Sequence, residues 1–182
     1  MKKLRLSKSS NNYPWFEFYK DVPLHIDYPK GSMVDVIVQT AFKYPDNNAL
    51  VYYNNKITYR ELVDKIIECA KALRYLGIKK GDIVSICMPN TPTALYMFYA
   101  VNMVGAVANM IHPLSSEKEI ELYLNKTESK AILTIDINYK KVINIINNTH
   151  VTKQELLLVH LASEFERHMQ CLPYMTFHLL IL

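Results

Sequence analysis

Few side chains in this sequence stand where they could move a proton, attack a carbonyl or hold a metal. His112, beside Pro113, has the chemistry of a general base, but no carboxylate or nucleophile is paired with it at a readable spacing, and a loop histidine with a structural or solvated role fits better. Tyr59 and Glu61 could be taken for an acid–base pair, yet Glu61 lies three residues after Thr58, which is the spacing of a helix capping box. Asn90 follows an apolar run, so it could face a crevice at the carboxyl end of a strand, where open α/β sheets bind ligands. Capping of the next helix, by Asn90 or Thr91, is the simpler role. Cys69, Cys87 and Cys171 are an odd, widely spaced set in apolar surroundings, without metal-ligand spacing, and read as three reduced thiols of a cytoplasmic protein. No residue is assigned a catalytic, metal-binding or cofactor-binding role on this basis.

Composition narrows the class. Half of the 182 residues are hydrophobic and 21% are charged, which is the make-up of a folded domain. The net charge of +4 is spread over scattered lysines, so no concentrated basic footprint for nucleic acid is present. The Met-Lys-Lys-Leu-Arg start is followed by polar residues and reads as no export signal. The longest apolar stretch, Ala94 to Ile111, is broken by Asn102, Gly105 and Asn109, and reads as two elements rather than a transmembrane segment.

The elements that must position any site follow from periodicity. Residues 1–30 read as an extended N-terminal arm, aromatic and proline-broken from residue 13 on, with its rings expected to pack into surface grooves. Ser32 opens a helix with Val34, Ile37, Val38, Ala41 and Phe42 at helical spacing, closed by Pro45. Ala49 to Thr58 reads as a β-hairpin turning at Asn54-Asn55. Thr58 and Glu61 then cap a helix from Tyr59 to Leu76, which Gly77 ends. Strands are expected at Ile83–Met88, Ala106–Ile111 and Ala131–Ile135, with helices at Thr93–Val104, from Ser116 through about Lys126, and at Tyr139–Asn147. Strands apolar on both faces, alternating with helices, predict a partial doubly wound α/β fold: a mainly parallel sheet with flanking helices, preceded by the arm and the hairpin.

Several segments carry a resemblance. ITYREL (Ile57 to Leu62) matches the first core motif of the adenylate-forming, AMP-binding superfamily, with Thr58, Tyr59, Glu61 and Leu62 in its pattern. GIKKGDIVSICMPNTP (Gly77 to Pro92) resembles that family's Gly-x-x-x-Gly-Asp-x-Val stretch through Gly77, Gly81 and Asp82, and its Pro-Asn turn through Pro89 and Asn90. VNMVGAVANMIHP (Val101 to Pro113) resembles its second core motif through Gly105 and Pro113, although Asn109 to His112 departs from the plainer run of many relatives. Each motif is unspecific alone; their order and spacing carry the likeness, which is nearest to fatty acyl-CoA synthetases and spans about residues 13–150. The resemblance implies that the intact family uses ATP, Mg²⁺ and coenzyme A to turn a fatty acid into its acyl-CoA, through an acyl-adenylate and with release of pyrophosphate. The motif residues named here are expected to be structural.

That chemistry needs amide groups around phosphate, a metal to offset charge and a lysine for developing negative charge. The family's T-S-G-T-T-G-x-P-K-G loop should follow the third strand, but the only glycines are Gly31, Gly77, Gly81 and Gly105. The same scarcity excludes a GxGxxG dinucleotide fingerprint. Residues 31–150 therefore read as the N-terminal part of an AMP-binding ligase's large domain. Residues 151–182 read as an unrelated tail, either translated out of frame from near Lys153 or a real tail covering an open face, with Gln154–Met169 as an amphipathic helix. The expectation is a fragment of an acyl-CoA synthetase, inactive alone and needing no cofactor by itself. Two alternatives stay open: one chain of a split ligase, or a non-catalytic α/β module that holds an acyl or nucleotide ligand. A complementary ligase chain, or self-association through the exposed sheet edge, are the expected partners, and marginal folding is expected of an unfinished parallel sheet.

Overall fold

The structure, a computed structural model, describes Pro14, Phe18, residues 27–152 and residues 156–159. The chain divides into two units, Met1–Lys30 and Gly31–Leu182. In the first, the rings of Phe18 and Tyr28 are exposed, and the other aromatic residues of the arm lie outside the described residues.

The second unit begins with α1 (Met33–Lys43), launched by a capping box in which Ser32 Oγ accepts from the Asp35 amide while the Asp35 carboxylate accepts from the Ser32 amide. Two of the expected core positions face out. Phe42 is 91% exposed and Val38 41%, because α1 turns a narrow stripe, with Val34 and Ala41 buried, towards its neighbours. Helical spacing selects a face but not its width.

The hairpin pairs β1 (Asn48–Tyr52) with β2 (Asn55–Thr58), Tyr52 opposite Asn55, so the turn residues are Tyr53 and Asn54 rather than Asn54-Asn55. Tyr53 carries the positive φ, at 51°. The register follows from Leu50 facing Ile57 and from both packing on the core, which outweighs the preference of asparagine for that conformation.

α2 (Tyr59–Tyr75) is the helix the pattern demanded. Thr58 Oγ1 accepts from the Glu61 amide at 3.3 Å, and the Glu61 carboxylate accepts from the Thr58 amide at 2.8 Å. Leu62, Ile66, Cys69, Ala70 and Leu73 are buried in one stripe. At its end Gly77 takes φ 78°, and the Ile78 and Gly77 amides bond back to the Leu73 and Arg74 carbonyls, both at 3.0 Å. Such a left-handed step satisfies carbonyls that the helix leaves open.

The sheet is parallel throughout, in the order β4-β3-β5-β6, with β3 Ile83–Cys87, β4 Val107–Met110, β5 Ala131–Ile135 and β6 Leu156–Val159. Between them run α3 (Pro92–Met103), α4 (Glu117–Thr127), a 3-10 turn (Asp136–Asn138) and α5 (Tyr139–Ile146). One face packs on α2 and α3 through Val84, Ile86, Met97, Ala100 and Leu133; the other carries Cys87, Ile120, Leu124, Ile132, Val142 and Ile145. A fully buried side chain of this size contributes ~1.5–3 kcal/mol, and both faces are filled, as a parallel sheet requires.

β6 corrects the expectation of a helix over Gln154–Met169. Its four residues pair with Ile132 to Ile135, and Val151 and Leu156 are buried in the second core. The run Leu156–Val159 is too short for its periodicity to separate strand from helix; an open, hydrogen-bonding edge of β5 decides it. The rest of that segment lies outside the described residues.

Candidate functional site

The motif residues sort to opposite ends of the sheet. Gly77, Gly81, Asp82 and Gly105 gather at the amino end. The Gly81 amide donates to the Gly105 carbonyl at 3.0 Å, and the Val107 amide donates to the Asp82 carbonyl at 2.8 Å. The Asp82 carboxylate accepts from the Lys79 amide at 2.7 Å and from Lys130 Nζ at 3.2 Å, contacts that hold its pKa below the ordinary carboxylate value, the Lys79 amide first. A Cβ at Gly105, where φ is 79°, would stand 3.2 Å from the Lys80 side chain. These residues align strands. Thr58, Tyr59, Glu61 and Leu62 likewise make the hairpin-to-helix junction, with Leu62 in the core and the Glu61 carboxylate occupied by its cap.

The carboxyl end is the end where such sheets bind ligands. From β3 the chain passes through α3 to β4 on one side; from β4 it returns past β3 to β5, and goes on to β6. The connections therefore diverge between β3 and β5. Three loops are tied together there. Thr134 Oγ1 donates to the Cys87 carbonyl at 3.2 Å, and Asn138 Nδ2 donates to the Pro113 carbonyl at 2.8 Å. The Cys87 thiol points at the His112 carbonyl, 3.7 Å away, and burial pushes its pKa up, so it is a neutral packing group and no nucleophile.

His112 is exposed, and its Nδ1 accepts from the Leu114 amide at 3.2 Å, which shapes its own loop. Thr91, and not Asn90, caps α3, its hydroxyl accepting from the Ala94 amide at 3.3 Å. Thr91 was one of the two cap candidates, and the capping role does not fall to Asn90. Its exposed side chain lines a cavity of about 450 Å³ with Leu50 and Tyr52 of β1, Leu95 and Phe98 of α3, and Met110 of β4. The walls are almost wholly apolar, so the cavity can hold hydrocarbon. Its lining residues include no carboxylate, histidine, lysine or cysteine.

Asn138 was not legible as an anchor: an Asp-Ile-Asn after an apolar strand reads as a plain turn, and its burial arises from a partner 25 residues away. A partly buried polar chain at the sheet's edge was also missed. Asn109 Nδ2 donates to Ser85 Oγ at 2.8 Å, Ser85 meets Ser129 at 2.7 Å, and Ser129 meets Thr127 at 2.7 Å. An asparagine inside an apolar strand was its one visible sign.

Among the described residues the side chains do not fit Mg²⁺. Among the described residues no group of three His, Cys, Asp or Glu side chains could hold a metal, and the positive-φ glycines stand at helix ends and turns away from the carboxyl edge. No step of carboxylate activation is routed through them.

A parallel sheet wound in both directions, with these motifs at its two ends, is the fold of the N-terminal part of adenylate-forming enzymes. The chain belongs to the AMP-binding enzyme family, whose model matches residues 37–173, a span that runs past residue 150 into the segment set apart by composition. It is 28% identical over 133 residues to a long-chain-fatty-acid–CoA ligase of Bacillus subtilis, covering 72% of this chain and 24% of the relative. It is 32% identical over 120 residues to an acetyl-coenzyme A synthetase of Rhizobium meliloti, covering 59% and 18%. Among solved structures, a long-chain-fatty-acid–CoA ligase of Archaeoglobus fulgidus superposes with a TM-score of 0.67 at 23% identity, covering 74% of this chain and 28% of that one. The chain spans about a quarter of the length of these long-chain ligases. No described helix is long and apolar enough to cross a membrane.

Proposed function

We propose that this chain supplies the first part of the large domain of an AMP-forming acyl-CoA synthetase, and that these residues alone do not activate a carboxylate. The observation that carries this reading is the division of labour at the sheet: Gly77, Gly81, Asp82 and Gly105 order the amino end, Thr58 and Glu61 cap α2, and the described family-motif residues form no metal-ligand group. Residues 31–159 serve as a frame on which a phosphate loop would be mounted. ATP, Mg²⁺, a fatty acid and coenzyme A are then the reactants of the complete ligase, working in the cytoplasm, with the thiol of coenzyme A taking the acyl group from the adenylate.

A chimera tests this. Residues 31–159 replace the matching segment of the Bacillus subtilis ligase, and acyl-CoA formation from palmitate is measured after circular dichroism establishes folding. Retained activity supports the frame reading; a folded chimera without activity overturns it. The same chimera split before the phosphate loop into two co-expressed chains tests the split-ligase arrangement.

The apolar cavity favours a second reading, a module that holds an acyl group without turnover. On this reading decanoate shifts the amide resonances of Asn90, Leu95 and Phe98 in the 182-residue chain, and ATP does not. Absence of both shifts removes it.

A further inference from the structure

We propose that the cavity between the hairpin and α3 takes a small apolar molecule whose uncharged head both donates and accepts hydrogen bonds, a primary carboxamide being the simplest, and that Asn90 selects that head. The inference rests on the second reading above, that this cavity holds an apolar chain. Leu50, Leu95, Phe98 and Met110 wall about 450 Å³, a volume within the range of small-molecule sites. Withdrawing a hydrocarbon from water into it supplies affinity in proportion to the apolar area buried. None of the described lining residues is charged.

The head group follows from Asn90. The Thr91 amide donates to the Pro89 carbonyl at 2.8 Å, so the chain turns tightly at Asn90 between β3 and α3. The neighbouring Thr91 hydroxyl accepts from the Ala94 amide and is occupied as the cap of α3. Among the described residues none hydrogen-bonds the Asn90 side chain. That side chain therefore offers an acceptor, Oδ1, and a donor, Nδ2, next to one another. A primary amide meets both at once, donating to Oδ1 and accepting from Nδ2. A carboxylate has no hydrogen to give: it accepts from Nδ2 alone, and no described lining residue is a cation that would offset its charge.

The test is a pair of NMR titrations of the 182-residue chain, with octanamide and with octanoate at neutral pH, followed at the Asn90, Leu95 and Phe98 amides. The two probes share a chain and differ in the head. Octanamide should bind about three- to tenfold more tightly, the worth of one additional hydrogen bond. Asn90→Leu keeps the apolar walls and should bring the two affinities together, and Leu95→Trp fills the cavity and should abolish both sets of shifts, with the β5 resonances unmoved in each variant. Equal affinities in the wild type, or a preference for the amide that survives Asn90→Leu, overturn this inference and leave the apolar-chain reading in place. No shift with either probe, or shifts that survive Leu95→Trp, remove both.

Discussion

Lys130 joins the beginnings of two neighbouring strands: its Nζ lies 3.2 Å from the Asp82 carboxylate and 3.1 Å from the Gly77 carbonyl. Asp82 directly precedes β3 and Lys130 directly precedes β5, so one side chain fixes the stagger of the central pair and closes the end of α2. The contact is half exposed, and solvent screening keeps its worth to about 1 kcal/mol or less.

The acid side of the stability curve should report it. The Asp82 pKa is held below its ordinary value, so its contribution is complete above the unfolded pKa of about 3.9 and disappears as pH falls through the lower folded value. Asp82→Asn should therefore lower the urea midpoint at pH 6 and bring it closer to the wild type at pH 3. An equal loss at both pH values would contradict this.

Helix α2 offers a sharper test of local chemistry. Thr58→Ala and Glu61→Ala each break the same reciprocal cap and should cost about 1 kcal/mol, with the double variant costing less than the sum because the two side chains serve one device. Gly77→Ala forces a Cβ into the left-handed region and should cost ~1–2 kcal/mol, although nothing stands within 4 Å of that Cβ. Chemical denaturation of the four variants checks all of these values.

Asn138 is nearly fully buried and ties the turn after β5 to the Pro113 carbonyl of the loop after β4. Asn138→Ala leaves that carbonyl without its donor and should cost about 1–3 kcal/mol. Hydrogen exchange should quicken in residues 112–116 before it does in β5. Uniform loss of protection across the sheet would count against a local anchoring role.

Cys69 has its pKa pushed up to about 12, first by burial and then by the Glu68 carboxylate. A raised value means that its contribution to stability is full below the unfolded pKa of about 8.5 and fades as pH climbs towards the folded value. Iodoacetamide at pH 8 should leave the Cys69 peptide unmodified in native protein and alkylate it in urea, as read by mass spectrometry. Rapid native labelling would show that the α2 stripe is not closed.

The helices and central strands were legible because they depend on local signals. The Thr58–Glu61 box, Gly77 and the run Ala131–Ile135 each state their structure within a few residues. Features that rest on distant partners were not. Tyr53 takes the hairpin turn because Leu50 must face Ile57, Phe42 stands out because only a narrow stripe of α1 meets a neighbour, and Leu156–Val159 is a strand because β5 has an edge to offer. At the candidate site the absence of glycine-rich sequence was plain, and so was a cap at Asn90 or Thr91, whereas the apolar cavity depends on how the hairpin meets α3.

Isotope exchange between pyrophosphate and ATP, with palmitate and Mg²⁺ present, tests the central claim most directly. The 182-residue chain, folded and at micromolar concentration, should exchange no label above a protein-free control. Exchange that depends on the fatty acid would show that these strands and helices activate a carboxylate unaided, and would contradict the account.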